Sequence, residues 1–249
     1  MEKLKRPVYV KPGTDDFFKK MRLEVNETVL KNSSLYVLNV VKSIGLLAVF
    51  FLFYACILIF GNQTPLLFLF YILSGITMIV LFINAFHDAA HGALFKKPKH
   101  NEWFLYVLEL FGSNHWLWMR RHIGLHHAYP NVPDWDVDIK QSDIIRIFPN
   151  SPLFNYHKYQ HIYMWFIYPL YSLNWLYIRD FKDFFGEKDN YVKRVTTIPQ
   201  KEVYRLFAAK FVNLLYLVIV PIMVLQHPWY VIVGAWLAMH LVGSMLAVI

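Results

Sequence analysis

The chain has 249 residues, 57% hydrophobic and 18% aromatic, with 17% charged and a formal net charge of +8. Asp88 is the one formal charge between Lys42 and Lys96, and none follows Lys210. Such segregation excludes an ordinary soluble domain and describes an integral membrane protein, whose basic excess reflects topology rather than nucleic-acid binding.

In chain order, the first thirty residues are polar and charged, with no apolar run of the kind a cleavable signal carries. Within them "DDFFKKMRLEVNETVL", from Asp15 to Leu30, mixes apolar and charged positions as an amphipathic helix on a membrane face does. Leu38–Phe60 and Leu66–Phe86 follow, each long enough at ~1.5 Å per residue to cross a hydrocarbon core of ~30 Å. The uncharged linker "GNQTP" makes them a helical hairpin. Cys56 lies in the first and is the only cysteine, so an intrachain disulfide or cysteine-based zinc site is excluded. A second pair, Phe211–Leu225 and Trp229–Ile249, is joined by "QHP".

The Lys and Arg fall in three blocks, within 1–42, 87–161 and 179–210, and the positive-inside rule places all three in the cytoplasm. The apolar stretch Ile162–Ile178 is therefore read as interfacial or re-entrant, since one crossing there would carry the last block outside. Trp103–Gly112 is too short to span and is also assigned to the interface. The expected fold is all-α, one membrane domain over 1–249: four transmembrane helices in two hairpins, with residues 87–210 as a cytoplasmic helical cap.

Five histidines stand out in that cap. His87 and His91, in "HDAAH" at the exit of the second span, are four apart and share a helical face. His122 and His126, in "HIGLHH", are expected to share a face in the same way, with His127 one step round. A lone HxxxH is weak evidence; two such boxes at one membrane face are stronger. Imidazole suits Zn, Cu, Fe and Ni alike, so the residues leave the metal open. Five histidines exceed one tetrahedral zinc and point to two ions, or to one with spare positions. Asp88, Asp136 and Asp138 are candidates to orient the imidazoles from behind, and Asp134 belongs to the same run; a solvated turn around Pro133 is the competing reading.

With these boxes, the flank "AYPNVPDWDVD" and the segment "YQHIYMWFIYPLY", the chain resembles the membrane fatty-acid desaturases, in particular the front-end and linoleoyl-CoA branch. The resemblance implies a di-iron centre held largely by histidine. His87 and His91 match the first box, and His122, His126 and His127 the second. It further implies O2-dependent introduction of a C=C bond into a fatty acyl chain, carried by CoA or phospholipid, with electrons from cytochrome b5 or ferredoxin. Trp116, Trp118, Tyr129 and Trp135 are candidates to line the acyl path, with interface packing as the alternative. Lys96, Lys97, Lys99, Arg120 and Arg121 are candidates to hold an anionic headgroup. A third box of HxxHH or QxxHH form is absent, and His240 does not fit it. The expectation is a fragment of a longer desaturase, or a truncation without catalysis. A lipid hydroxylase on the same scaffold and a non-catalytic remnant both remain open.

Overall fold

The computed structural model describes residues 7–8, 16–30, 33–139, 144–186 and 190–248. Asp15 and Ile249, the ends of two expected stretches, lie outside them. By its contacts the chain divides into residues 1–42 and 43–249. The first unit contains helix α1, Phe17–Val25, which runs into a π turn over Asn26–Leu30. Phe17, Phe18, Met21, Leu23 and Val25 are all exposed, as an amphipathic surface helix requires.

Four helices among the described residues are long and apolar enough to cross a membrane: Tyr36–Phe60, Thr64–Ala90, Gln200–Val224 and Trp229–Val248. No strand occurs among those residues. The first span belongs to α2, Ser33–Phe60. The second is composite: α3, Thr64–Leu81, passes through a π turn, Phe82–Phe86, into the short α4, His87–Ala90. Pro65 at its first turn costs no hydrogen bond there and fixes the helical φ.

The third span starts earlier than expected. Helix α11 covers Gln200–Leu214 and continues through a π turn, Leu215–Ile219, into α12, Val220–Val224. Charged residues in its first half place the expected start at Phe211 instead. They are tolerated because Glu202 and Lys210, both buried, have polar partners inside the protein. The fourth span is α13, Trp229–Val248.

The two hairpin turns meet. The Gln226 N–H donates to Asn62 Oδ1 at 2.8 Å, and His227 Nε2 lies 2.9 Å from the Gly61 carbonyl. In lipid there is little hydrophobic drive between helices, so small residues and hydrogen bonds govern their packing. Gly75 of α3 and Gly243 of α13 face each other: a Cβ on Gly243 would lie 3.0 Å from the Gly75 carbonyl oxygen. Tyr71 adds a hydroxyl donated to the Leu217 carbonyl at 2.6 Å, tying α3 to the third span.

The stretch around Ile162–Ile178 forms a broken helix. Helix α7, Gln160–Ile167, is followed by a 3-10 turn, α8 (Tyr171–Asn174), a π turn (Trp175–Arg179) and α9, Asp180–Phe185. Ser172 anchors it to α13: its N–H donates to Ser244 Oγ at 3.0 Å, and its hydroxyl lies 2.9 Å from His240 Nδ1. His240 is thereby committed to packing in the membrane region.

The stretch Trp103–Gly112 forms α5, Pro98–Tyr106, and a 3-10 turn, Val107–Phe111, with Trp103 exposed and Phe104, Leu108 and Phe111 buried. Phe111 sits against Phe50 and Phe86 at ring-centroid distances of 4.7 and 5.6 Å. The rest of the cap folds over its own core of Leu117, Leu125, Tyr129, Trp135, Val137, Phe184, Val192 and Leu206. That core holds α6, His115–Arg121, against α9 and the start of α11.

Candidate metal centre

The first box sits where the second span ends. His91 N–H bonds to the His87 carbonyl at 3.1 Å, an ordinary i to i+4 turn, and the two rings lie 4.6 Å apart. The second box departs from that spacing. After α6 the backbone enters a π turn over His122–His126, and the His127 N–H reaches the His122 carbonyl at 2.9 Å, five residues back. A π turn advances the facing position by one residue, so His127 takes the place that α-helical spacing assigns to His126. His122 and His126 were expected to share a face with His127 one step round; in the structure the His127 ring is the nearer to His122, with centroids 4.4 Å apart against 5.9 Å for His126. His π turns of this kind occur often at functional sites.

Ligating atoms of His87, His91, His122 and His127 lie within 4.8 Å of one another. His122 Nε2 and His127 Nε2 are 3.1 Å apart. Metal–imidazole bonds of about 2.0–2.1 Å put neighbouring ligand atoms about 3 Å apart and opposed ones about 4 Å apart. The donor set therefore fits metal coordination. Its protonation fits as well. Burial first, then the rings of His127, His87, His91 and His126, push His122 down to about 3. Burial followed by its imidazole neighbours also lowers His91 and His127. These three rings are neutral near pH 7, with lone pairs free to bind a cation.

His126 faces the aspartate run instead. Its Nδ1 lies 2.9 Å from Asp136 Oδ1 and 3.6 Å from Asp138 Oδ2. Asp136 is 1% exposed and also accepts the N–H groups of Asn131 at 2.9 Å and Asp138 at 3.0 Å. Burial pushes the Asp136 carboxyl up, but the bonds from His126 and from those two backbone groups outweigh it and hold it below the usual carboxylate range. With three of its roughly four acceptor sites taken, Asp136 suits the role of orienting His126, leaving Nε2 of that ring as a possible ligand atom. Asp138 is shared with Arg179, whose Nη2 is 3.4 Å away. Asp134 is exposed and turns away at φ 65°, its carbonyl taken by Arg194 at 2.8 Å. Asp88 lies at the first box and its charge acts on His91.

The four aromatic candidates separate. Trp118 is buried, stacks on His122 with centroids 5.0 Å apart and planes 12° off parallel, and meets Phe82 at 5.0 Å. Tyr129 and Trp135 pack 4.9 Å apart inside the cap core, and Trp116 borders that core beneath Arg120. Packing accounts for those three.

Of the basic candidates, Lys96, Lys97, Lys99 and Arg120 are exposed. Arg121 is not: it is 2% exposed, with Nη2 2.8 Å from Asp180 and Nε 2.5 Å from Asp183. The headgroup expectation for Arg121 is corrected, since a guanidinium bonded to two acids, with its remaining Nη1 also buried, is closed to a headgroup at the surface. Asp180, Asp183, Glu202 and Lys210 were not singled out from the sequence. Their signal was there, as charges embedded in otherwise apolar helical stretches.

The family model "Fatty acid desaturase" matches residues 62–249. An sn-1 linoleoyl-lipid 6-desaturase of Arthrospira platensis is 29% identical over 168 residues, 66% of this chain and 44% of that protein. An acyl-lipid (8-3)-desaturase of Physcomitrium patens is 27% identical over 248 residues, 96% of this chain and 48% of that protein. The chain thus spans about half the length of these relatives or less. No solved structure matches.

Proposed function

The chain belongs to the fatty acid desaturase family, and from that premise we propose that it carries the first two histidine boxes of an O2-dependent fatty acyl desaturase. The observation that carries the reading is the convergence of His87, His91, His122 and His127 at the mouth of the second span. With His126, they would supply part of the ligand set of two iron ions, whose chemistry when bound is reductive activation of O2 for removal of two hydrogens from a methylene pair.

The chain's own residues supply position and surroundings. His87 and His91 present their rings from a span end, His122 and His127 from the cap, so the site joins lipid-borne substrate to water-borne reductant. Asp136 fixes the His126 ring. Trp118 holds His122 flat and, with Phe82 and Trp175 at 4.9 Å from it, forms an apolar wall suited to an acyl chain. The exposed Lys96, Lys97, Lys99 and Arg120 would meet a phospholipid or CoA phosphate on the cytoplasmic side. Electrons would come from cytochrome b5 or ferredoxin. The names of the relatives favour an acyl-lipid substrate.

The test is the acyl profile of membranes from cells expressing the protein, together with iron per purified chain. A new double bond with bound iron is expected. A new hydroxyl would instead identify a lipid hydroxylase. Protein that binds no iron and leaves the profile unchanged with a donor present would refute catalysis.

A further inference from the structure

Three buried charged side chains that carry none of the proposed chemistry, Arg121, Asp180 and Lys210, lie together behind the second histidine box, with the half-buried Asp183 beside them. Asp180 is 1% exposed and stands between two cations, with Oδ1 2.8 Å from Arg121 Nη2 and Oδ2 2.5 Å from Lys210 Nζ. Asp183 takes Arg121 Nε at 2.5 Å. Two cations are thus matched by two anions, the condition under which buried charge is tolerated.

The network grips α6 at both ends. At the far end, Lys210 Nζ donates to the Gly112 carbonyl at 2.5 Å, and Asn213 Nδ2 to the Leu110 carbonyl at 3.0 Å, just before the helix starts. There Asn114 caps the Leu117 N–H at 2.8 Å, and its own amide is 3.3 Å from Glu202. At the near end, Arg121 is the last residue before the π turn and is fixed by both acids. Among the described residues, Asp180 is the side chain bonded to both Arg121 and Lys210, so it joins the two grips.

The π turn needs such restraint. It trades ordinary helical bonds for a rarer geometry, and its register decides whether His127 or His126 faces His87 and His91. We propose that Asp180 is a positioning residue for the metal centre, setting through Arg121 the register in which His122 and His127 are presented. This rests on the desaturase reading of the histidine cluster. It differs from the role of Asp136, which bonds a histidine directly; Asp180 acts through the backbone.

Co2+ is the probe, added to the purified full chain in detergent, with affinity and visible d–d bands as the readouts. Asp180→Asn keeps the side-chain volume and removes the charge. Arg121→Lys keeps the charge but cannot fork to two acids, so it remains informative if the first variant fails to fold. Lys182→Ala, an exposed change on the same helix, is the control. Asp180→Asn and Arg121→Lys are expected to weaken Co2+ binding about 10- to 100-fold and shift the bands, as outer-sphere changes do, while Lys182→Ala matches wild type. Folded Arg121→Lys with wild-type affinity and bands would overturn the proposal, even if its melting temperature fell. A wild-type chain that binds no Co2+ would overturn the metal centre itself and this inference with it.

Discussion

His122 Nε2 and His127 Nε2 stand 3.1 Å apart across five positions of sequence, while His126, four positions from His122, turns to Asp136. The i to i+5 backbone bond produces that exchange. It predicts that His127→Ala removes bound iron as completely as His122→Ala does. His126→Ala should also lower iron, through loss of a ring outside the four-histidine group. Metal analysis of the three purified variants checks the order.

Asp136→Asn keeps the shape of the side chain but weakens the bond that fixes His126. Metal affinity should fall about 10- to 100-fold, the usual cost of losing such a carboxylate partner. Titration with Co2+ measures it, and wild-type affinity would assign Asp136 to the fold of the loop alone.

Trp135 has a different job. It is 7% exposed inside the cap core, so Trp135→Ala should destabilise the cap by about 3–5 kcal/mol. Folded protein should still carry its full complement of metal. Thermal unfolding together with metal per folded chain separates the two effects.

The crossing of α3 and α13 gives a contrast between two glycines. A Cβ on Gly75 would run into the Met239 carbonyl, whereas one on Gly234 meets only the Phe68 ring at 3.8 Å. Gly75→Ala should cost about 1–3 kcal/mol by overpacking. Gly234→Ala should be neutral or gain up to about 1 kcal/mol of helix propensity. Unfolding in detergent distinguishes them, and equal behaviour would argue against the close approach.

The spans were legible because the bilayer imposes length and apolarity on each segment independently of its neighbours. The histidine boxes were legible because imidazole is rare and their spacing local. Two things were hidden. Helical spacing assumed 3.6 residues per turn, so the π turn and the exchange of His127 for His126 had no signature in the residues. The pairings of Arg121 with Asp180 and of Lys210 with Gly112 link positions 59 and 98 apart in sequence, which local patterns do not encode. For the same reason Arg121 reads as a headgroup candidate in the sequence although it is buried against Asp180, while the place of Tyr129 and Trp135 in the cap core agrees with the packing alternative.

A π turn is an α-helix carrying one residue too many. In the second box the surplus has a natural seat at Gly124, where an added Cβ would meet nothing within 4 Å. Excising that residue would leave His122 and His127 four apart, on the same face of an ordinary α turn. By this geometry, H-x-x-x-H-H wound through a π turn and H-x-x-H-H wound through an α turn would present the same pair of rings on one face. What the constellation depends on is the direction of two nitrogen lone pairs rather than the count of letters between them.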